Sequence, residues 1–328
     1  MNDTYIHLAV AADDKYIPHA AVTILSACLH TSRPYSMHIH FLSNGVAPSS
    51  LEKLRRMVAE HKQTLSIYQV SNIERLAGIK LSGTIALSSY IRLFLSSLLP
   101  QDVKRLIYLD SDVITSDNLA NLWDVDLEGN LLGAVMDVSQ GECNTRVGLP
   151  PHNRYINAGV LLIPLERWRD ENIEARFIRF LHLHHGKVFH HDQGVINAVL
   201  VNAIKILPPR FNLMTFMYEF SAREIGRLYG TRNFYTEEEL VKARQHPCCI
   251  HFTESLSNRP WVMHCTHPER HRYQKIRALT PWGEWLLEKD RRTLPAKFLS
   301  VCHRVGGAHL FDLARVVLGK LSSLLKKC

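Results

Sequence analysis

In Arg105-Leu-Ile-Tyr-Leu-Asp-Ser-Asp-Val-Ile114, four apolar residues, Leu106 to Leu109, run straight into two carboxylates one residue apart, Asp110 and Asp112. A short run rich in strand formers reads as a buried strand of an α/β sheet. Open α/β sheets bind ligands outside the carboxyl ends of their strands, which is where the two acids fall. Carboxylates so placed can share a hard divalent cation with the oxygens of a diphosphate. Asp-X-Asp alone is a weak signal, since most such pairs are loop acids or helix caps, so the surrounding sequence has to carry the reading.

Upstream, apolar runs alternate with helical patterns. Ile6 to Ala11 is a strand ending in Ala12-Asp13-Asp14-Lys15. Pro18 stands at a helix start, and Ala20 to His30 continues that helix. Met37 to Leu42 is a second strand, Pro48 to His61 a helix with Leu51, Leu54 and Val58 on one face, and Leu65 to Val70 a third strand. This alternation predicts an open, mostly parallel sheet with helices on both faces. Glu74 to Thr84, with Gly78 and Gly83, reads as a mobile loop. Ser88 to Leu99 reads as a helix burying Tyr90, Leu93, Phe94 and Leu98 and stopped by Pro100.

Downstream, Leu132 to Met136 is a strand ending at Asp137, and Gly141 to Asn153 is loop. Ile156-Asn-Ala-Gly-Val-Leu-Leu-Ile-Pro164 is a strand that opens with a polar Asn157 and a Gly159 allowing close approach. Glu166 to Leu183 is an amphipathic helix. Asp192 and Gln193 begin another, facing outward from its N-terminus. Ile250 to Thr253 is a late strand carrying His251, followed by Arg259-Pro-Trp261.

The totals exclude several classes. An apolar content of 46% and a charged content of 21% in 328 residues are those of an ordinary globular protein. Nowhere do about 18 apolar residues run uninterrupted, so no transmembrane helix is expected. The first residues have no signal-peptide pattern, and seven cysteines without paired spacing fit reduced thiols, so a cytoplasmic location is expected. Of the net +8, six charges lie in Leu286 to Cys328, where nine basic residues face three acidic ones. A helix from Ala308 to Leu325, with Leu310, Ala314, Val317, Leu321 and Leu324 on one stripe and Lys326-Lys327 after it, suits the plane of an anionic membrane. No nucleic-acid partner is expected, because no basic surface interleaved with aromatics lies outside this tail. The histidines His182, His184, His185, His190 and His191 read as solvated surface, since no cysteine or carboxylate set completes a closed zinc site.

Asp13, Asp110, Asp112, Asp137, Asn157, Asp192, Gln193 and His251 thus all fall at strand ends or helix starts of one sheet. With the stretches Ala11-Ala-Asp-Asp, Ser89-Tyr-Ile-Arg-Leu, Tyr108-Leu-Asp-Ser-Asp, Tyr155-Ile-Asn-Ala-Gly, His191-Asp-Gln-Gly, Ile250-His-Phe and Arg259-Pro-Trp, the chain resembles family 8 glycosyltransferases. These are retaining nucleotide-sugar enzymes of the GT-A fold, and the resemblance is greatest to bacterial lipopolysaccharide α-galactosyl- and α-glucosyltransferases.

The resemblance implies a GT-A catalytic domain over residues 1–265, and the small basic helical region over 266–328, with its amphipathic helix, is expected to serve the acceptor and the membrane. It implies a UDP-hexose donor, galactose or glucose, an α-linkage, and a glycan or glycolipid acceptor such as lipopolysaccharide core at the inner face of the cell membrane. Asp110, Asp112 and His251 would hold Mn²⁺, or Mg²⁺ in its place. Ala11 and Asp13 would meet the uracil, and Ser111 the ribose. Arg92, Asp137, Asn157 and Asp192 would line the sugar pocket, and Arg259 would touch the diphosphate. Gln193 would sit beneath the anomeric carbon, with Asp192 as the rival catalytic group if a glycosyl-enzyme forms. The loop from His251 to Trp261 departs from the family pattern: it is two residues longer, lacks a glycine and has arginine for lysine. Two rival readings are a self- or protein-glucosylating enzyme like glycogenin and a non-catalytic sugar-nucleotide or nucleic-acid binding protein. Retention of Asp110, Asp112 and Gln193 argues against the second.

Overall fold

The computed structural model describes residues 5–31, 36–70, 73–81, 87–139, 141–284 and 286–325. Ten strands occur among them: β1 (Tyr5–Asp13), β2 (Ser36–Asn44), β3 (Thr64–Gln69), β4 (Leu106–Leu109), β5 (Val113–Thr115), β6 (Leu132–Met136), β7 (Ile156–Ile163), β8 (Ile204–Ile206), β9 (Leu213–Met214) and β10 (Cys249–His251). Seven form the main sheet in the order β3-β2-β1-β4-β7-β6-β8, and the other three a small sheet in the order β5-β10-β9. The main sheet is chiefly parallel, as the strand–helix alternation predicts. The exception is β7, antiparallel to both neighbours. Every residue of β4 and of β7 is buried, because helices cover both faces of the sheet there.

The reversal of β7 positions the site. In a parallel sheet, a residue at the start of a strand lies at the edge away from the ligand. Because β7 runs backwards, its first residues meet the carboxyl end of β4: Leu109 pairs with Val160, and the Asp110 amide donates to the Gly159 carbonyl at 2.8 Å. The run Arg105 to Ile114 is therefore two strands. Leu106–Leu109 belongs to the main sheet and Val113–Thr115 to the small one, with Asp110-Ser111-Asp112 as the hinge between them.

Four local expectations need correction. The segment expected as one helix over Ser88 to Leu99 is a 3₁₀ run, Leu87–Phe94, followed by a short α-helix, Leu95–Leu98. Its tighter pitch stacks residues i and i+3, so Arg92 Nε donates to the Ser89 carbonyl at 3.0 Å. The helix expected over Glu166 to Leu183 breaks into Leu165–Asp170 and Ile173–Leu183 at Asn172, whose φ is +50°. The loop Gly141 to Asn153 contains a short helix, Glu142–Arg146. Glu74 to Thr84 begins inside another, Ile73–Ala77, and Ser82 to Thr84 lie outside the described residues.

The C-terminal helix starts earlier than expected, spanning Leu294–Leu325 with a break at Gly306 and Gly307. Ala308 joins the main core with Phe311 packed against it, and Ala314 is buried, whereas Val317 is exposed. Of the stripe expected from the sequence, Ala314 is therefore turned inward and Val317 outward, and the side chains of Leu321 and Leu324 lie outside the described residues. Lys326 and Lys327 lie outside the described residues. No described helix is long and apolar enough to cross a membrane.

Candidate functional site

A cleft of about 1060 Å³ opens at the carboxyl ends of β1 and β4. Asp110, Ser111 and Asp112 form its floor, with Ala11 and Asp13 from the end of β1 on one side and Asp192 and Gln193 on the other. Arg92, Asp137 and Arg259 also line it. Asn157 is buried beside it, hydrogen-bonded to Asp137.

His251 reaches Asp112 through strand register. β10 pairs antiparallel with β5, His251 opposite Val113, and the Phe252 amide donates to the Asp112 carbonyl at 2.9 Å. This sets His251 Nε2 at 3.1 Å from Asp112 Oδ1. One ligand atom each from Asp110, Asp112 and His251 lie within 4.8 Å of one another. The other imidazole nitrogen, Nδ1, is 2.9 Å from Asn212 Oδ1, so with its hydrogen there the ring leaves Nε2 as the free donor pair. Two carboxylates and one imidazole, the imidazole oriented by an amide behind it, fit a divalent cation with open positions. Asn212 immediately precedes β9 and was not evident in the sequence. It also donates to Asn157 Oδ1 at 2.9 Å, linking His251 to the Asn157–Asp137 side of the cleft.

Burial alone would raise the Asp112 carboxyl, but His251 and Arg259 overcome it and hold its pKa at about 2. The effect on His251 is reciprocal: burial disfavours its charge, and Asp112 and Asp110 raise its pKa above the ordinary value. Arg259 Nη2 is 3.8 Å from Asp112 Oδ2, its guanidinium lies over Trp261, and its buried Nε has no hydrogen-bond partner among the described residues. In the longer loop before it, Asn258 adopts a φ of +65°, so an asparagine takes the left-handed position.

Arg92 is the hub of the far wall. Its Nη2 meets Asp110 Oδ1 at 2.7 Å and its Nε meets Asp192 Oδ2 at 2.9 Å, while Nη1 donates to the Ala158 carbonyl. Burial works against its charge, but the two flanking carboxylates keep the guanidinium protonated. Asp192 therefore does not face outward. It is 5% exposed and turned into the protein, and burial pushes its carboxyl up against the pull of Arg92. Two successive residues in the left-handed region, His190 at φ +56° and His191 at +52°, turn the chain into this helix, His191–Leu200. Both histidines line the cleft, which corrects their reading as solvated surface.

Gln193 is held at both ends of its amide. Oε1 accepts from the Ala158 amide at 3.1 Å, and Nε2 donates to Asp137 Oδ2 at 3.3 Å. Asp137 Oδ2 also accepts from Asn157 Nδ2 at 3.0 Å. Ser111 Oγ donates to the Ala11 carbonyl at 3.0 Å, and Asp13 Oδ1 accepts the amides of Lys15 and Tyr16 at 3.1 and 2.9 Å. The expected site residues thus converge on one cleft and its immediate wall.

Gly159 is a packing requirement of this site. A Cβ there would lie 2.2 Å from His251 Cε1 and 2.7 Å from its Nδ1. Gly159→Ala is therefore expected to displace the imidazole, lowering affinity for a divalent cation by about 10- to 100-fold, the scale of a lost orienting contact. Its stability cost is about 1–3 kcal/mol from overpacking. Calorimetric titration with Mn²⁺ checks this, and an unchanged affinity would refute it.

A family model described as glycosyl transferase family 8 matches residues 7–265. General stress protein A of Bacillus subtilis is 26% identical over 284 residues, covering 86% of this chain and 96% of that protein. Lipopolysaccharide 1,2-glucosyltransferase of Escherichia coli is 22% identical over 282 residues, covering 85% and 79%. Among solved structures, the galactosyltransferase LgtC in complex with donor and acceptor sugar analogues superposes with a TM-score of 0.70 at 26% identity, covering 84% of this chain and 96% of that one. A family model spanning most of the chain, over a fold that a glycosyltransferase structure shares nearly end to end, makes this protein a member of glycosyl transferase family 8.

Proposed function

We propose that the protein is a retaining hexosyltransferase that moves galactose or glucose from a UDP-hexose to a glycan acceptor, with lipopolysaccharide core as the acceptor class. The observation that carries this reading is the convergence of Asp110 and Asp112, with His251 buried behind them, at the same cleft as a doubly anchored Gln193. Asp110, Asp112 and His251 would hold Mn²⁺, which when bound neutralises the diphosphate of the leaving UDP. Arg259, whose Nε has no partner among the described residues, would meet the same phosphates. Ala11 and Asp13 would receive the uracil and Ser111 the ribose. Arg92, Asp137, Asn157 and Asp192 would shape the sugar pocket.

A retained configuration needs either a covalent intermediate or attack on the face the leaving group departs from. An amide is a poor nucleophile, and Asp192 is committed to Arg92, which supports the front-face route. Gln193, its amide oriented by Ala158 and Asp137, would stabilise the positive charge that develops at the anomeric carbon. UDP release from a panel of UDP-, GDP- and TDP-sugars, with and without Mn²⁺, tests the reading. One UDP-hexose should turn over only with metal, and Gln193→Ala should lower kcat about 100-fold with little change in donor KM. No metal-dependent turnover of any UDP-hexose would overturn the donor assignment. A sugar adduct on Asp192, detected by mass spectrometry, would overturn the front-face route.

Residues 1–265 are read as the catalytic unit and 266–328 as the acceptor and membrane region, peripheral to the inner face of the cell membrane. Exposed apolar residues on the C-terminal helix support this: Leu294, Phe298, Val301 and Val305 before the glycine break, and Leu313, Val316 and Val317 after it. With the basic residues among them, they suit an anionic bilayer. Deleting residues 294–328 should abolish co-flotation with phosphatidylglycerol vesicles while leaving metal-dependent UDP release. Flotation that survives the deletion would exclude this helix as the anchor.

A further inference from the structure

At the opposite edge of the main sheet from the cleft, three histidines come together. His7 near the start of β1 pairs in register with His38 of β2, and His40 lies two residues further along β2 on the same face. One ring nitrogen from each lies within 4.8 Å of the others. The closest pair, His7 Nδ1 and His40 Nε2, are 2.9 Å apart, and the His38 and His40 rings stack at 4.3 Å. We propose that His7, His38 and His40 form a second metal site, separate from the cleft, for a nitrogen-preferring transition ion such as Zn²⁺.

Donor chemistry distinguishes the two sites. Three imidazoles without a carboxylate among them suit Zn²⁺, Ni²⁺ or Cu²⁺, whereas the oxygen-rich set in the cleft suits Mn²⁺ or Mg²⁺. The spacing also fits. Tetrahedral zinc with nitrogen ligands at about 2.0–2.1 Å needs those nitrogens about 3.4 Å apart. His7 Nδ1 and His40 Nε2, at 2.9 Å, stand a little inside that value, and all three nitrogens lie within 4.8 Å of one another, so small ring rotations suffice.

Two of the three rings already make the further contact that ligand histidines require. His40 Nδ1 is 3.0 Å from Tyr68 Oη, and His38 Nε2 is 2.8 Å from Ser66 Oγ, both on β3. Such outer contacts orient the ring and leave the opposite nitrogen for an ion. His40 is wholly buried and His7 nearly so, while His38 is half-buried and opens a path from solvent. With three protein ligands, a fourth position remains for water. An ion there would clip β1 to β2 near the amino end of β1, the strand that carries Ala11 and Asp13 to the cleft.

Co²⁺ reports tetrahedral sites through visible absorption, so it is the probe. Protein stripped with EDTA should bind one equivalent of Co²⁺ with a tetrahedral spectrum, and Zn²⁺ should displace it. The spectrum should persist in Asp110→Asn/Asp112→Asn and be lost in both His38→Gln and His7→Gln. His38 is partly exposed, so a wild-type circular dichroism spectrum for His38→Gln shows loss of a ligand and not of the fold. Loss of the spectrum with the two aspartates, its survival in both histidine variants, or its absence from the wild type would each overturn the proposal.

Discussion

Replacing Asp112 with alanine should lower metal-dependent UDP release by about 1000-fold, with Mn²⁺ affinity falling in parallel. The magnitude follows from the several kcal/mol that a bound divalent ion contributes to stabilising a phosphoryl leaving group, at about 1.4 kcal/mol per tenfold. Asp112 has no local substitute. Asp110 shares its charge with Arg92, so it is already partly neutralised, whereas Asp112 faces His251 and Arg259 across the cleft. The fold should survive, because the Phe252 amide bonds to the Asp112 backbone carbonyl, which alanine keeps. The substitution should also lower the His251 pKa, whose rise over burial depends on Asp112 first. Electron paramagnetic titration with Mn²⁺ separates the two losses: weakened binding with an intact fold is the expected result. Unaltered metal dependence in Asp112→Ala would remove this residue from the ligand set.

The sequence makes the acids of the site legible because each is marked locally. Asp110 and Asp112 end an apolar run, Asp137 ends another, and Asp192 and Gln193 sit at a helix start. What made the other groups illegible is distance along the chain. Asn212 orients His251 from 39 residues away, through strands of two and three residues that are too short to show a period. His190 and His191 looked like surface because the turn that brings them inward rests on two left-handed residues of a type that does not advertise it. Periodicity picked out Tyr90, Leu93 and Phe94 of the Ser88 to Leu99 segment but missed that Ile91, Arg92 and Leu95 are buried as well and that Leu98 is only partly so. It could not give the pitch, since a 3₁₀ turn and an α turn share the i, i+3 contact. The three histidines of β1 and β2 were invisible for a related reason. Their meeting depends on parallel register between strands whose members are 31 and 33 residues apart.

Arg92→Leu should be the most destabilising single substitution at the site, by about 3–5 kcal/mol, the cost of breaking a buried ion pair from one side. Arg92 is 4% exposed and serves two carboxylates and two carbonyls. Leucine of similar bulk removes every partner at once. Asp192, 5% exposed, would lose its charge partner. Arg92→Lys should recover little of the loss, because one ammonium cannot fork between Asp110 and Asp192 as the guanidinium does. Coupling distinguishes this account from simple loss of packing: Arg92→Leu/Asp192→Asn should be less destabilised than the sum of the two single variants. The pH dependence has a definite sign. Burial already raises the folded Asp192 carboxyl above its unfolded value, and losing Arg92 raises it further. The folded variant therefore binds a proton that the unfolded chain has released, and stability falls as pH rises through that window. The deficit relative to wild type should be full at neutral pH and shrink as pH is lowered towards the unfolded aspartate value of about 3.9. Urea denaturation of both proteins between these limits measures it. A deficit that stays constant as pH falls would mean that the buried charge of Asp192 is not what Arg92 balances.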